Sequence, residues 1–171
     1  MTEDIDPNYI KSRLSYNPET GEFVWRFWDD DPVNWNKRFA GKVAGSFSTS
    51  GHRQIAINGC LYGAHRLAWV ISYGVWPPEF IDHINGDPSD NRLINLRLAT
   101  RTENMRNTGN YKSNTSGIKG VSFINRDQKW SADIRVNKRL ISLGRFDNIE
   151  EARSAREAAE IKYFGGFRRT S

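Results

Sequence analysis

The feature that most constrains this chain is a pair of short apolar runs separated by a loop of turn-forming residues. The first run begins at Phe80, the second spans 93–99, and the loop N-G-D-P-S-D-N fills residues 85–91. A cluster of Asn, Asp, Gly, Pro and Ser predicts turns rather than a continuing strand. The sequence therefore predicts two strands that are joined by this loop.

A helix is predicted directly after the second run. Thr100 and Glu103 have the spacing of a capping box, in which the two side chains satisfy free backbone N–H groups of the first turn. The predicted order is therefore strand, loop, strand, helix, and Asn104 lies one turn into that helix.

Four polar residues of this stretch could converge on one point. A carboxylate and an amide oxygen are hard ligands that suit Mg²⁺ or Mn²⁺, so Asp82 and Asn104 are candidate metal ligands. An imidazole that titrates near neutral pH suits a general base for water, which makes His83 the candidate base. Asn95 could hold the loop through hydrogen bonds to its backbone. The alternative is an ordinary turn with asparagine caps, and residue chemistry alone leaves both open.

Charge is distributed unevenly along the chain. Residues 1–91 contain 8 Lys/Arg and 12 Asp/Glu, a net charge of −4, whereas residues 92–171 contain 17 and 8, a net charge of +9. A strongly basic half favours a polyanionic partner, most simply nucleic acid. A solubilising surface charge is the alternative.

Cysteine content and hydropathy limit the cellular environments that suit this chain. Cys60 is the one cysteine, which excludes an internal disulfide and a cysteine-based zinc site and fits a reducing, intracellular environment. The acidic N-terminus is not a signal peptide, and no run approaches the roughly 20 apolar residues that span a bilayer. We therefore expect no membrane partner.

The segment around the two apolar runs resembles a known family. I-D-H-I-N-G-D, then D-N-R-L-I-N-L-R-L-A-T-R-T-E-N-M-R-N, with A-H-R-L-A-W before them, resembles the HNH endonucleases, specifically the phage and intron-encoded homing branch. The match spans about 63–108. The resemblance implies a base at His83, a loop-holding residue at Asn95 and an H-N-N variant with the metal at Asp82 and Asn104.

This resemblance implies metal-dependent hydrolysis of a DNA phosphodiester. An arginine could neutralise the phosphate charge, and the sequence does not choose among Arg92, Arg97 and Arg101. We expect Arg97 and Arg101 to contact DNA. The role of His65 stays open, with a structural or phosphate-contacting histidine favoured over a catalytic one.

The C-terminal third predicts three antiparallel strands backed by one helix. W-S-A-D-I-R-V alternates apolar and polar residues, and Asn148 and Glu151 have capping-box spacing. A basic sheet face can enter the major groove of DNA. The residues expected to bind DNA from this face are Lys119, Arg126, Arg135 and Arg139. A solvated face without a partner is the alternative.

The same segment resembles the plant ethylene-response-factor (APETALA-type) DNA-binding domain. The matching residues are G-I-K-G-V, W-S-A-D-I-R, L-G-R-F-D-N-I-E-E-A and A-A-E-I-K-Y-F-G, within about 117–166. Ser122 and Ser142 stand where plant members carry Arg and Trp, so the sequence preference of the family does not transfer.

The predicted architecture is an α+β protein. It comprises a β-rich N-terminal module (1–62), a ββα-metal HNH nuclease core (63–108), a linker (109–116) and a C-terminal three-stranded antiparallel sheet packed on one helix (117–171).

The predicted function is that of a metal-dependent, homing-type endonuclease acting as a monomer on double-stranded DNA. We expect it to be phage-encoded and to work in the cytoplasm of a bacterial host, nicking or cutting both strands. The alternatives are a sequence-specific DNA-binding regulator with a silent nuclease centre, and an RNA-binding protein. The intact set of four polar residues favours the enzyme.

Overall fold

The structure is a computed structural model that describes residues 5–29, 34–106 and 114–165. Contacts divide the chain into two compact units, 1–101 and 102–171. Most of the predicted linker, residues 109–113, lies outside the described residues.

The first unit is built from short elements. Its helices are α1 (Pro7–Arg13), α2 (Trp35–Phe39) and α3 (Ala64–Tyr73). Its strands are β1 (Leu14–Tyr16), β2 (Phe23–Trp25), β3 (Ser46–Phe47), β4 (Arg53–Ile57), β5 (Cys60–Gly63), β6 (Phe80–His83) and β7 (Leu96–Ala99). β1 pairs with β2, β4 pairs with both β3 and β5, and β6 pairs with β7, all antiparallel.

One hydrophobic core joins these elements across the predicted boundary at residue 62. Its fully buried members come from both sides of that boundary and include Ile10, Leu14, Phe23, Ile55, Leu67 and Val70. The structure therefore differs from the predicted separation of 1–62 from 63–108. The physical reason is that each of these short elements has too little apolar surface to form a core by itself.

Helix α3 contributes several of the buried residues of this core. It spans Ala64–Tyr73, and Gly74 ends it in the left-handed conformation at φ 76°, which glycine adopts without a steric clash because it lacks a Cβ atom. Leu67, Ala68 and Val70 are buried, as expected for the inward stripe of an amphipathic helix.

The predicted strand–loop–strand–helix is present. β6 and β7 form a hairpin in which Asp82 stands opposite Arg97 and His83 opposite Leu96. A 3₁₀ turn at Leu93–Asn95 leads into β7, and helix α4 (Arg101–Arg106) begins directly after Thr100. Because α4 crosses the boundary between the units, its residues from 102 onward belong to the second unit.

The second unit contains the predicted three-stranded sheet and helix. Its strands are β8 (Val121–Ile124), β9 (Lys129–Val136) and β10 (Arg139–Phe146), in the order β10-β9-β8, and its helix is α5 (Ile149–Phe164). Ala152 and Ala159 pack against Ala132 and Ile134 of β9, because small side chains on the helix allow close approach to the sheet.

One buried arginine of α5 was not anticipated. Arg156 is 5% exposed and donates a hydrogen bond to the backbone oxygen of Asp133 as well as to Glu160 (Nε to Oε1, 2.9 Å). The helix–sheet contact therefore combines small apolar residues with a satisfied buried charge.

Among the described residues, no helix combines the length and apolar character needed to cross a bilayer.

The cap of α5 generates a stability prediction. The Asn148 side chain accepts a hydrogen bond from the Glu151 backbone N–H at 2.8 Å. Asn148→Ala removes this acceptor and should lower the free energy of unfolding by about 1 kcal/mol, whereas Asn148→Asp retains it. Urea denaturation followed by far-UV circular dichroism measures the difference. An Asn148→Ala variant as stable as Asn148→Asp would contradict the prediction.

Candidate active site

The loop between β6 and β7 is held by one buried side chain, Asn95. Its Oδ1 accepts from the Asn85 backbone N–H at 3.0 Å, and its Nδ2 donates to the Asn85 side-chain oxygen at 3.0 Å and to the Asp90 backbone oxygen at 2.8 Å. At 6% exposed, the amide has little access to water, so each of these bonds satisfies a group that would otherwise be costly to bury. These are the loop-holding hydrogen bonds that the sequence predicted for Asn95.

His83 lies at the end of β6 and is 7% exposed. Its Nε2 is 3.5 Å from Oδ1 of Asn91, which is itself 2% exposed. Asn91 Nδ2 donates to the Ser89 backbone oxygen at 3.0 Å, and this bond orients the amide so that Oδ1 faces the imidazole. A proton on Nε2 is then the matched tautomer, and it leaves the basic lone pair of the ring on Nδ1.

Two further histidines pack against His83. The ring of His65 is 5.3 Å from it and that of His52 is 5.8 Å from it, centroid to centroid, and both approach edge-on. His52 follows β3 in the turn to β4, and its Nδ1 is 3.1 Å from the Ser50 hydroxyl. The structure therefore brings together all three histidines of the chain.

The pKa values of two of these histidines are lowered in the folded protein. Burial lowers the pKa of His83, although the hydrogen bond to Asn91 opposes the shift. Burial, followed by the neighbouring His83 and His52, lowers the pKa of His65 to about 3. His65 Nδ1 is buried and has no hydrogen-bond partner, which fits a neutral ring that packs rather than ionises.

Asp82 is the buried carboxylate beside the candidate base. It is 4% exposed, and its Oδ2 accepts from Arg97 Nε at 2.9 Å and from Arg97 NH2 at 2.7 Å. The two residues stand opposite each other on β6 and β7, so the hairpin register itself creates the pair. Since a buried carboxylate needs a compensating charge, Arg97 explains how Asp82 is held at this strand end.

Asp82 supplies a carboxylate oxygen, the ligand type that a hard divalent cation prefers. The described residues include no group of three or more His, Cys, Asp or Glu side chains that could hold a metal. A single carboxylate can nevertheless contribute to an Mg²⁺ site, because Mg²⁺ usually keeps several waters and takes further ligands from substrate phosphates. Asn104 lies on α4 in the second unit, so its meeting with Asp82 remains a prediction.

The remaining arginines of the stretch have different surroundings. Arg92 pairs with both carboxylate oxygens of Asp90, Nε to Oδ1 at 2.8 Å and NH2 to Oδ2 at 2.6 Å. This hydrogen bond lowers the pKa of Asp90 and stiffens the loop. Arg101 is exposed at the start of α4. Arg97, which pairs with Asp82, is already engaged at the site.

The predicted DNA-binding residues of the second unit occupy distinct positions. Arg135 is exposed on the sheet face away from α5, since its neighbours Ile134 and Val136 pack toward the helix. Arg139 stands opposite Val136 and therefore lies on the helix side of the sheet, not on the outer face that the sequence predicted. Lys119 is partly buried just before β8.

The turn and the outer face complete this set of basic residues. Arg126, in the turn after β8, has 83% of its side chain exposed and pairs with Asp127. Arg145 stands opposite Ser131 on the outer face, a basic residue that the sequence analysis did not select.

Sequence reasoning missed Asn91 and His52. Asn91 belongs to a loop in which nearly every residue is a turn former, so its type alone did not distinguish it. His52 lies about thirty residues before His83, and only the pairing of β4 with its neighbours brings it close. No local signal could have identified it.

Part of the chain is similar to known proteins. Residues 62–106 match the family model of HNH endonucleases. Protein 3.8 of Escherichia phage T7 is 41% identical over 71 residues, which cover 41% of this chain and 59% of that protein. The match therefore spans less than two thirds of the length of this relative.

A solved structure is also similar. It is titled "DNA binding and cleavage by the HNH homing endonuclease I-HmuI" and has a TM-score of 0.42 and 23% identity, with 60% of this chain and 55% of that chain covered. Asp82, His83 and Asn95 lie within residues 62–106, the segment that matches the HNH endonuclease model.

The histidine cluster generates a pH prediction. Unfolded His65 titrates near 6.5 and folded His65 at about 3, so only the unfolded state takes up this proton as the pH falls below 6.5. The stabilisation is complete above pH 6.5 and is lost progressively toward pH 3, by about 2 kcal/mol between pH 7 and pH 5.

NMR titration of the ring Cε1–H signals should show His65 unprotonated at pH 5. Urea denaturation at pH 5 and pH 7 should show a smaller pH dependence in His65→Gln than in the wild type. A His65 signal that titrates near pH 6.5 would refute the prediction.

Proposed function

We propose that this protein is a divalent-metal-dependent endonuclease that hydrolyses phosphodiester bonds in double-stranded DNA. The observation that carries the proposal is the buried imidazole of His83 beside the Asp82 carboxylate, at the end of a strand whose following loop is held by Asn95. This constellation lies within the segment that matches the HNH endonuclease model.

His83 serves as general base in this proposal. A base must be unprotonated at the working pH, and burial lowers the pKa of His83 below its ordinary value, so the ring is ready to accept a proton. It takes the proton from the attacking water as the new P–O bond forms and the bond between phosphorus and the 3′ oxygen breaks. Asn91 fixes the ring tautomer during this transfer.

Asp82 and Asn104 would hold the metal. When bound, a divalent cation there supplies charge neutralisation for the scissile phosphate and for the leaving oxygen. Arg97 holds the Asp82 carboxylate in place through its two hydrogen bonds, so the protein fixes this ligand before the cation arrives. HNH nucleases in general use a divalent ion, and the oxygen ligands favour Mg²⁺ or Mn²⁺.

The second unit would target the enzyme to DNA. Its outer sheet face carries Arg135 and Arg145, and Arg126 is exposed in the adjoining turn. A twisted, basic, antiparallel sheet fits the width of the major groove. The ethylene-response-factor likeness of 117–166 supports this role.

The relatives also support a biological setting. The T7 protein and the homing endonuclease belong to mobile or phage contexts by their printed names. We accordingly propose a homing-type enzyme that works inside a bacterial cell. With one centre per chain, a monomer would cut one strand at each encounter.

Plasmid cleavage tests the proposed activity. The wild type with Mg²⁺ or Mn²⁺ should relax or linearise supercoiled DNA, EDTA should abolish the reaction, and His83→Gln should lower the rate by about 10²–10⁴-fold because the general base is lost. Relaxed circles without linear product would indicate nicking.

Controls separate chemistry from folding. Circular dichroism and thermal unfolding must show that His83→Gln is folded. If the wild type binds DNA but cleaves neither plasmid nor bacterial genomic DNA with either metal, the nuclease proposal is wrong. The alternative of a DNA-binding regulator with a silent nuclease centre then takes its place.

DNA binding by the second unit has its own test. Arg135→Ala should weaken binding to duplex DNA and lower the slope of log K against log salt by about 1, since one phosphate contact is lost. Arg153→Ala is the matched control, because Arg153 lies on α5 and pairs with Glu150. Equal effects of both substitutions in a fluorescence anisotropy titration would contradict a specific role for the sheet face.

A further inference from the structure

The hairpin of β1 and β2 contacts the candidate catalytic loop at three consecutive residues. The Tyr16 hydroxyl donates to the Asn91 backbone oxygen at 2.8 Å, and the Leu93 backbone N–H donates to the Pro18 oxygen at 2.9 Å. Between these two bonds, Gly21 lies against the backbone of Asn91 and Arg92. The turn of this hairpin, residues 17–22, therefore follows the loop backbone from 91 to 93.

Gly21 is fitted to this contact. A Cβ at this position would lie 2.7 Å from both the Arg92 nitrogen and the Asn91 carbonyl carbon, closer than real Cβ atoms approach backbone. Its φ of 75° is also in the left-handed region that favours glycine. The hairpin can follow the loop this closely only because the side chain is absent.

The residue held in this way is the one that faces the candidate base. Asn91 presents its backbone oxygen to Tyr16 and its side-chain Oδ1 to His83 Nε2. Since the Asn91 side chain is fully buried, its position follows from that of its backbone. A displacement of the backbone at Asn91 would move the hydrogen-bond acceptor of the imidazole.

Tyr16 is well suited to hold this backbone. Its ring packs on Phe23 at 4.7 Å between centroids, which limits the movement of the side chain. Burial, then the charge of Asp90, raises the pKa of its hydroxyl to about 12, so it remains a hydrogen-bond donor across the working pH range.

We propose that Tyr16 and Gly21 are positioning residues for the base, acting through Asn91 to set the orientation of the His83 imidazole. The inference rests on the proposed nuclease function and assigns part of that function to residues outside the 62–106 segment that matches the HNH model. A nuclease core cut at residue 62 would lose this support.

The first experiment replaces the tyrosine hydroxyl. Tyr16→Phe should lower kcat for DNA cleavage by about tenfold and leave KM within about twofold, because misplacement of a reacting group costs rate more than binding. Tyr9→Phe is the matched control: its hydroxyl bonds to Asn58 Oδ1 at 2.9 Å, away from the loop. Equal kcat values for the two variants would overturn the proposal.

The second experiment uses a matched pair of glycines. Gly21→Ala and Gly41→Ala introduce the same left-handed strain, at φ 75° and 76°, but nothing lies within 4 Å of a Cβ at Gly41. Only Gly21→Ala should reduce kcat further than its loss of stability explains. If thermal unfolding shows that Gly21→Ala does not fold, the tyrosine pair decides the outcome.

An NMR measurement makes the test independent of cleavage. In protein labelled with ¹⁵N histidine, the three ring systems are assigned with His83→Gln, and Tyr16→Phe should shift the His83 ring nitrogens while Tyr9→Phe leaves them unchanged. Unchanged His83 signals in Tyr16→Phe overturn the inference even if the nuclease is active. If the wild type never cleaves DNA but Tyr16→Phe still shifts the His83 signals, the proposed function is overturned. The coupling between Tyr16 and His83 is then structural.

Discussion

The site depends on the buried amide of Asn95, which forms hydrogen bonds to both ends of the loop between β6 and β7. Its oxygen and nitrogen together bond to Asn85 and Asp90. A loop of turn formers has many accessible conformations, and ordering it costs conformational entropy. Three hydrogen bonds in a dry environment offset part of that cost. His83 begins the turn that leads into this loop, since its backbone oxygen accepts from the Gly86 N–H. The ordered loop therefore helps to hold the His83 backbone in place.

Neighbouring groups of the site have different surroundings. The Asp82 carboxylate is buried in an ion pair with Arg97, which β-strand register places beside it. The His83 ring packs against two other imidazoles, and burial lowers its pKa and favours the neutral form, although the hydrogen bond to Asn91 opposes this shift. The Asp82 carboxylate, held by a guanidinium, suits metal binding. The His83 imidazole, one residue later, suits proton transfer.

The short elements of the first unit explain why its N-terminal part cannot be separated from the site. Strands of two to five residues and small helices bury enough apolar surface only as one cluster, which runs from Ile10 to Leu96. That cluster seats the turn at residue 52 against His83 and the turn at residue 21 against the loop backbone. Packing therefore couples distant segments to the candidate base.

The sequence alone determined the local pattern. Turn formers, caps and apolar runs specified the β6–β7 hairpin, the helix after Thr100, the sheet and helix of the second unit, and the loop-holding role of Asn95, because these features depend on neighbours within about ten residues. Tertiary structure alone decided that Arg97 pairs with Asp82, that His52 and Asn91 adjoin His83, that Arg139 lies on the helix side, and that 1–101 shares one core. Those outcomes depend on strand register and on packing between distant segments, which residue types do not encode locally.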